Sequence, residues 1–153
     1  MDKKLFKQVI ETIDEGYDLM QEYANKPHQY HNLMLYPVET HTLQMIGNNP
    51  GITASLISKK LNKTPSACSQ ILRKLEKKEL ILKAKNPENN REYKLYLTDI
   101  SKVIYDLHEQ RDDKILSRYY QNLTVLTNEE IQTYLKVQKA LNKEFKQDLE
   151  ESF

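Results

Sequence analysis

The segment from Thr53 to Lys78 constrains the fold most strongly, because it holds two helix starts with hardly any chain between the helices. Thr53 and Thr64 are both good N-cap residues, and Pro65 takes the first helical position, where proline is favoured. Residues 62 and 63 make a tight turn. We therefore predict helices over about 53–61 and 65–78, and two short helices joined in this way form a helix-turn-helix.

A polar-tipped hairpin is predicted directly after the second helix. Residues 81–86 and 91–97 have strand character, and the polar segment Pro87-Glu88-Asn89-Asn90 connects them. An earlier short helix begins at Pro37 and ends at the turn over residues 48–51. A hairpin that follows a helix-turn-helix is called a wing, so residues 37–98 are predicted to form a winged helix-turn-helix.

Long amphipathic helices flank this module. Apolar residues recur at spacings of three and four over residues 3–24, from Thr98 to about residue 122, and after Thr127, whose partner Glu130 completes a capping box. The stretch from residue 25 to 36 is predicted to be irregular. At 153 residues the chain has the size of one ordinary domain, so we predict a single domain over 1–153, mainly α with a small β-wing. In the second of these helices, the residues expected to face inward are Ile100, Val103, Ile104, Leu107 and Ile115. The apolar faces of the first and last helices are expected to form a dimer contact, and they carry Phe6, Ile10, Ile13, Tyr17, Met20, Ile131, Leu135, Leu141, Phe145 and Leu149.

Charge is distributed unevenly along the chain. The net charge is +1, but residues 53–94 contain eleven Lys and Arg against four acids, and the rest of the chain is net acidic. A basic block inside acidic flanks is typical of a protein that binds nucleic acid. The alternative is a winged helix whose basic surface docks an acidic protein partner and does not bind DNA.

The helix from Pro65 to Lys78 has two chemically opposite faces. Cys68, Ile71, Leu72 and Leu75 fall at helical spacing and are expected to face the core. The other face carries short hydrogen-bonding side chains first and cations later. A major groove requires this order, because the N-terminal turns reach base edges and the later cations meet phosphates.

The residues expected to contact DNA come from this helix and from the wing. Gln70 can pair with adenine and Arg73 with guanine, and the start of the helix can bind a phosphate. Arg91 can enter the minor groove, while Lys83 and Lys85, with Lys94, are expected to line the adjacent backbone. The predicted DNA-binding set is Thr64, Ser66, Ser69, Gln70, Arg73, Lys74, Lys77, Lys85, Asn89, Asn90 and Arg91.

The segment from Tyr36 to Thr98 resembles the MarR family of bacterial transcriptional regulators. The similarity lies in Asn49-Pro50-Gly51-Ile52-Thr53, in residues 66–78 as the recognition helix, and in Leu97-Thr98 at the exit from the wing. The resemblance implies a homodimer, with dimerisation helices and linkers in 1–36 and 123–153 and a connecting helix over 99–122. It also implies binding to a near-palindromic operator in double-stranded DNA, usually as a repressor, with release by a small-molecule effector that the sequence does not identify.

Three positions depart from the family pattern. The wing of the family usually carries Asp-x-Arg, whereas this chain has Asn89 before Arg91, so the aspartate that would orient the arginine by a salt bridge is missing. Glu79 and Ser101 stand where the family usually has glycine. Both turns are therefore expected to differ locally.

Five large side chains are candidates for an effector pocket. They can line a site for an aromatic or acyl ligand between the helices and the winged module, although such residues are more often core or dimer interface. The candidates are Tyr17, Met20, Tyr30, Tyr36 and Tyr105.

Histidines and neighbouring carboxylates make a zinc-dependent regulator the second alternative. Their spacing is scattered, which favours ordinary surface histidines, so no metal or cofactor is predicted. The candidate ligands are His28, His31, His41 and His108, with Glu39 and Glu109.

The composition argues against several further classes. Cys68 is the only cysteine, so no disulfide forms within the chain, and its place on the core face predicts a buried, unreactive thiol. With 3 glycines there is no glycine-rich phosphate loop, and neither a nucleophile elbow nor paired carboxylates near a histidine are present, so an enzyme is not expected. The sequence contains no continuous apolar stretch of the kind that a signal peptide or a membrane helix needs, so we expect a cytoplasmic protein.

Overall fold

The computed structural model describes residues 2–151, so residues 1, 152 and 153 of the predicted terminal segments lie outside the described residues. Contacts within the chain form two compact units, residues 1–111 and 112–153. In chain order the elements are α1 (Lys3–Ala24), β1 (His28–Tyr30), β2 (Leu33–Leu35), α2 (Pro37–Asn48), β3 (Ile52–Thr53), α3 (Ala54–Lys60), α4 (Pro65–Lys77), β4 (Ile81–Lys85), β5 (Tyr93–Leu97), α5 (Asp99–Leu123) and α6 (Asn128–Glu150).

The helices begin at the capping residues that the sequence predicts. Thr53 Oγ1 accepts a hydrogen bond from the Leu56 backbone N–H at 3.4 Å, and Thr64 Oγ1 accepts one from Ala67 at 3.2 Å. Pro65 is the first residue of α4. Each cap satisfies a backbone donor that the first turn of a helix leaves free. The predicted helix-turn-helix, formed by α3 and α4, is confirmed.

A three-stranded antiparallel sheet accompanies these helices, in the order β3-β5-β4. The predicted wing hairpin is confirmed, with Ile81 opposite Leu97, and β3 adds a short pairing in which Ile52 lies opposite Leu95. Gly51, with φ of +87°, leads into β3 and donates its N–H to the Leu95 carbonyl at 2.9 Å. Glycine adopts this backbone conformation without strain.

A second, two-stranded hairpin occupies the stretch that was predicted to be irregular. In β1 and β2, Tyr30 lies opposite Leu33, and His31 at the turn has φ of +53°. Tyr30 and Leu35 are buried. The prediction was wrong because strands of three residues are too short to show a readable alternation.

The main hydrophobic core surrounds the helix-turn-helix. The predicted inner face of α4 is confirmed, because Cys68, Leu72 and Leu75 are buried and Ile71 packs against the core. Other members of the core cluster are Leu43, Ile46, Ile52, Ile57, Leu80, Ile81, Leu95 and Ile104.

The apolar face of α5 is more exposed than predicted. Ile100, Val103 and Leu107 of α5 are 39 to 50% exposed, and only Ile104 of the five inward residues predicted in that helix is fully buried. Neither α1 nor α6 contains a buried residue in the part of the chain that the structure describes. Leu56, predicted to be buried in α3, is also exposed. The predictions for α5 and Leu56 were wrong, because periodicity identifies an apolar face but not what covers it.

The end of α4 contains a glutamate in a left-handed conformation. Glu79 has φ of +58°, its N–H donates to the Glu76 carbonyl, and the N–H of Leu80 donates to the Leu75 carbonyl, both at 2.9 Å. This is the Schellman arrangement, in which glycine is favoured at the left-handed position because a Cβ is unfavourable there. Glu79 therefore ends the helix in a conformation that suits glycine.

Glu79→Gly is expected to raise the free energy of unfolding by about 0.5 to 1 kcal/mol. The substitution removes the steric penalty of a Cβ in the left-handed conformation. Glycine also increases the entropy of the unfolded chain, but this effect offsets only part of the gain. Urea denaturation measures the change. Lys74→Gly, at an ordinary helical position of the same helix, is the control and should lower stability by about 1 kcal/mol. A loss of stability in Glu79→Gly would show that the glutamate side chain has a stabilising contact of its own.

Candidate nucleic-acid interface

The outer face of α4 presents the side chains that were predicted to contact DNA. Gln70, Arg73, Lys74 and Lys77 are exposed, and Ser69 is half-buried. Since the opposite face packs into the core, the rotation of the helix about its axis is fixed. These side chains therefore point away from the core as one surface.

The start of α4 is organised by its cap. The Thr64 hydroxyl oxygen accepts the Ala67 N–H, and Thr64 and Ser66 are both exposed. A hydroxyl that accepts a hydrogen bond still has its own proton to donate. Both residues are thus placed where a helix start can meet a phosphate.

The wing tip is held by two turns in which an asparagine side chain binds the backbone. Asn86 is buried and accepts the Glu88 N–H, and Asn89 accepts the Arg91 N–H, each at 3.1 Å. Within residues 2–151, no carboxylate forms an ion pair with Arg91. Asn89 therefore orders the loop through the backbone and leaves the Arg91 guanidinium without an ion-pair partner inside the described chain.

A cavity of about 230 Å³ lies between α4 and the wing. Ser69 and Arg73 line it from the helix, and Arg91 and Tyr93 line it from the wing, together with Ser55 at the start of α3. Arg73 and Arg91, which the sequence places on separate elements, thus share one concave surface. Ser55 and Tyr93 were not predicted to be parts of this surface. The alternation in β5 assigns Tyr93 to the same face as the buried Leu95, which suggests a core position for Tyr93.

Two of the eleven cationic side chains in the basic segment form ion pairs with carboxylates of the same chain. Lys83 Nζ lies 2.6 Å from a Glu76 carboxylate oxygen, and Lys78 Nζ lies 2.7 Å from Glu39. Lys83 was predicted to line the DNA backbone, but it is paired with Glu76 instead of free. Lys85, at the end of β4, is exposed.

The candidate pocket residues have different surroundings. Tyr30 is buried with its hydroxyl 2.9 Å from His108 Nδ1, and burial raises the pKa of this hydroxyl. Tyr105 donates to Asn48 Oδ1 at 2.6 Å. The side chains of Tyr17, Met20 and Tyr36 are exposed on the surface of the chain. None of the five lines the cavity between α4 and the wing, so an effector pocket built from them stays a prediction.

Both carboxylates among the candidate zinc ligands interact with other side chains of the chain. The rings of His41 and His108 lie 5.4 Å apart between centroids. Glu39 instead binds Lys78, and Glu109 accepts a hydrogen bond from Gln44 at 2.6 Å. Across residues 2–151, no group of three or more His, Cys, Asp or Glu residues is arranged to hold a metal ion.

The remaining histidine candidates and the cysteine also have other environments. His28 Nδ1 lies 3.1 Å from the Arg111 guanidinium, and burial, followed by the charge of Arg111, lowers its pKa. His31 is exposed at the turn between β1 and β2. Cys68 is buried, as predicted, and burial raises the pKa of its thiol, which disfavours the reactive thiolate.

A helix-turn-helix followed by a paired hairpin defines the winged-helix class of proteins. Residues 35–93 match the model of the MarR family. Over this segment, which is 59 of the 153 residues, the chain is similar to the MarR family, as its sequence motifs imply. No helix in the described part of the chain combines the length and the apolar character needed to cross a membrane.

Comparison with known proteins agrees with this assignment. The HTH-type transcriptional regulator PchR of Bacillus subtilis (strain 168) is 31% identical over 96 residues, which are 63% of this chain and 57% of PchR, so the match spans little more than half of that relative. Streptococcus pneumoniae FabT, solved in complex with DNA, is 25% identical with a TM-score of 0.70 over 97% of this chain and 99% of FabT. Lactococcus lactis ZitR, a zinc-responsive member of the family, was also solved in complex with DNA and is 25% identical with a TM-score of 0.73 over 89% of this chain and 97% of ZitR.

Proposed function

We propose that this chain is a homodimeric, sequence-specific DNA-binding protein that regulates transcription in the cytoplasm, represses its target genes and leaves the operator when a small molecule binds. The observation that carries the proposal is the exposed polar and cationic face of α4, which lies opposite a buried apolar face and beside Arg91 of the wing. The DNA complexes of FabT and ZitR support the same reading. Members of this family act as regulators and not as enzymes.

The geometry gives each part of the surface a role. We assign Ser66, Gln70 and Arg73, from the first three turns of α4, to base edges in the major groove, and Lys74 and Lys77 to phosphates. Arg91 reaches the neighbouring minor groove from the wing. In a dimer the two copies of α4 would enter the same side of the duplex about 34 Å apart, one DNA turn, which matches a near-palindromic operator.

The bare apolar faces of the long helices support a second copy of the chain as partner. Leu135, Phe145 and Leu149 of α6 are all exposed and lie on one stripe of the helix, and α1 has an exposed stripe of its own. Soluble monomers rarely leave contiguous apolar surface of this kind in water. We therefore assign α1 and α6 to the dimer interface.

A mobility-shift assay against fragments of the genome, repeated over a range of salt concentrations, tests the proposal. A DNA-binding regulator shifts a small subset of fragments, and its affinity falls steeply with salt because phosphate contacts release counterions. A winged helix that docks only an acidic protein partner would shift none. A chelator added to the same assay tests zinc dependence, and a small-molecule library added to the shifted complex tests release by an effector.

Lys77→Ala is expected to weaken binding to all duplexes alike, because a lysine on a phosphate contributes no sequence information. The slope of log affinity against log salt should become shallower by about 1.8, because each of the two subunits loses one phosphate contact worth about 0.9. Titrations between low and moderate salt measure this change. An unchanged slope would exclude the phosphate contact.

A further inference from the structure

The end of α4 is tethered by an ion pair between a half-buried lysine and a buried glutamate, and the DNA-binding surface does not use this pair. Lys78 directly follows the helix, and its ammonium lies 2.7 Å from Glu39 Oε1 and 3.2 Å from the Met34 carbonyl. Glu39, in the first turn of α2, is only 2% exposed, and its second oxygen accepts the Tyr36 N–H at 2.9 Å. One lysine thus links the end of α4 to both α2 and β2.

The helix would end at the same place without this lysine side chain. The Schellman turn through Glu79 and Leu80 already closes α4 with backbone hydrogen bonds, and Leu72 and Leu75 already anchor its inner face. An ion pair with a buried partner often adds little net stability compared with an apolar pair of similar size, and in some proteins such a pair instead specifies geometry. The Glu39–Lys78 pair therefore fixes where the end of the helix lies relative to α2.

The angle of α4 matters more for base contacts than for phosphate contacts. The helix has 13 residues and is about 20 Å long, so a tilt of about three degrees at one end moves the other end by about 1 Å. Hydrogen bonds to base edges weaken steeply with such misalignment. A flexible lysine beside a phosphate follows the shift, since it acts as a point charge on a long stem.

We propose that Glu39 and Lys78 are positioning residues that set the angle at which α4 enters the major groove. Discrimination between DNA sequences then depends on the pair, while general attraction to DNA does not. This inference rests on the proposed function, because it assigns a role to residues that lie behind the DNA-binding surface.

The test compares two neighbouring lysines on two duplexes, namely the duplex that the wild type selects from a random library and a shuffled duplex of the same composition. Lys78→Met is expected to lower affinity for the selected duplex about tenfold, the scale of one impaired base contact, with unchanged affinity for the shuffled duplex and an unchanged salt slope. Lys77→Met, the control, should weaken both duplexes equally and make the slope shallower. Lys78→Arg should restore the preference. Equal losses on both duplexes in Lys78→Met, or no loss on either, would overturn the proposal.

Lys78→Met also leaves the Glu39 carboxylate buried without its counterion, which can prevent folding. The double variant Glu39→Gln with Lys78→Met removes that charge and keeps an acceptor for the Tyr36 N–H. It should fold, and it should still lose the preference for the selected duplex. A folded double variant with the wild-type preference contradicts a positioning role.

Hydrogen exchange in the free protein tests the tether independently of DNA. The double variant is expected to exchange faster than the wild type over residues 33–39 and 74–80, with no change in α3. Unchanged exchange in both segments would refute the tether, whatever the protein binds. A wild type that selects no duplex would instead contradict the proposed function, and the exchange experiment would still decide whether the pair holds α4 in place.

Discussion

Leu135→Glu is expected to convert the proposed dimer into monomers and to lower operator affinity by about 100-fold or more, because a single subunit loses the gain from binding two half-sites at once. Leu135 lies on the exposed apolar stripe of α6, a helix without a buried residue in the described part of the chain. A carboxylate at this position would have to leave water as the interface forms, which is strongly unfavourable. Sedimentation equilibrium measures the assembly, and a mobility shift measures the affinity.

Ala140→Glu is the matched control for this experiment. Ala140 is exposed and falls on the opposite side of α6 by helical spacing, so the substitution adds the same charge away from the stripe. We expect this variant to remain a dimer with wild-type affinity. A dimeric Leu135→Glu protein would place the interface on another surface, and a monomeric Ala140→Glu protein would mean that the charge acts at a distance.

Arg73→Ala is expected to lower operator affinity by about 1 to 3 kcal/mol for each half-site and to relax the preference at one base pair in each, because Arg73 lies on the exposed face of α4 where an arginine can bind a guanine edge with two hydrogen bonds. Binding to the operator and to every single-base variant of it measures both effects. An equal loss on random DNA would reject the base-reading role.

Arg73→Lys separates the charge of this residue from its geometry. Lysine keeps the positive charge but cannot reproduce the planar, two-pronged donor of arginine. The variant should therefore retain affinity for random DNA and the full salt slope while it loses the preference at the same base pair. If Arg73→Lys keeps that preference, Arg73 acts only as a charge.

The parts of the fold that depend on local chemistry could be predicted from the sequence. A threonine that caps a helix acts within three residues, so the starts of α3, α4 and α6 follow from Thr53, Thr64 and Thr127. The two faces of α4 follow from spacing alone, since the helical repeat determines which residues share a side. Most of the residues in the candidate DNA surface can therefore be predicted from the sequence of α4 alone.

The parts that depend on contacts between distant residues could not be predicted. Glu39 and Lys78 are 39 residues apart, and nothing in either segment indicates the other, so Glu39 was considered as a metal ligand instead. The concave surface shared by Arg73 and Arg91 requires the packing of the wing against α4. The strands β1, β2 and β3 have two or three residues each and are stabilised by pairing, which leaves no periodic signal.

The departures from the family pattern behave differently from one another. Asn89 replaces an acidic residue and binds the Arg91 backbone, so the loop is ordered by a neutral side chain. Ser101 is fully buried, and its hydroxyl donates to the Thr98 carbonyl at 3.0 Å, so the polar group has a partner inside the first turn of α5. Of the two residues that replace a glycine, only Glu79 has a positive φ, so only Glu79 is in a conformation that is unfavourable for a residue with a Cβ.

If the uncovered stripes on the long helices form the proposed dimer interface, the stability of this chain depends on its concentration. When folding and pairing share the same apolar surface, the fraction of native molecules rises with the number of copies present. At low expression a newly made chain would spend longer with that surface in water, where proteases and chaperones compete for it. Scarcity would then lower the level of active regulator more than proportionally, so that occupancy of its target depends steeply on the rate of synthesis.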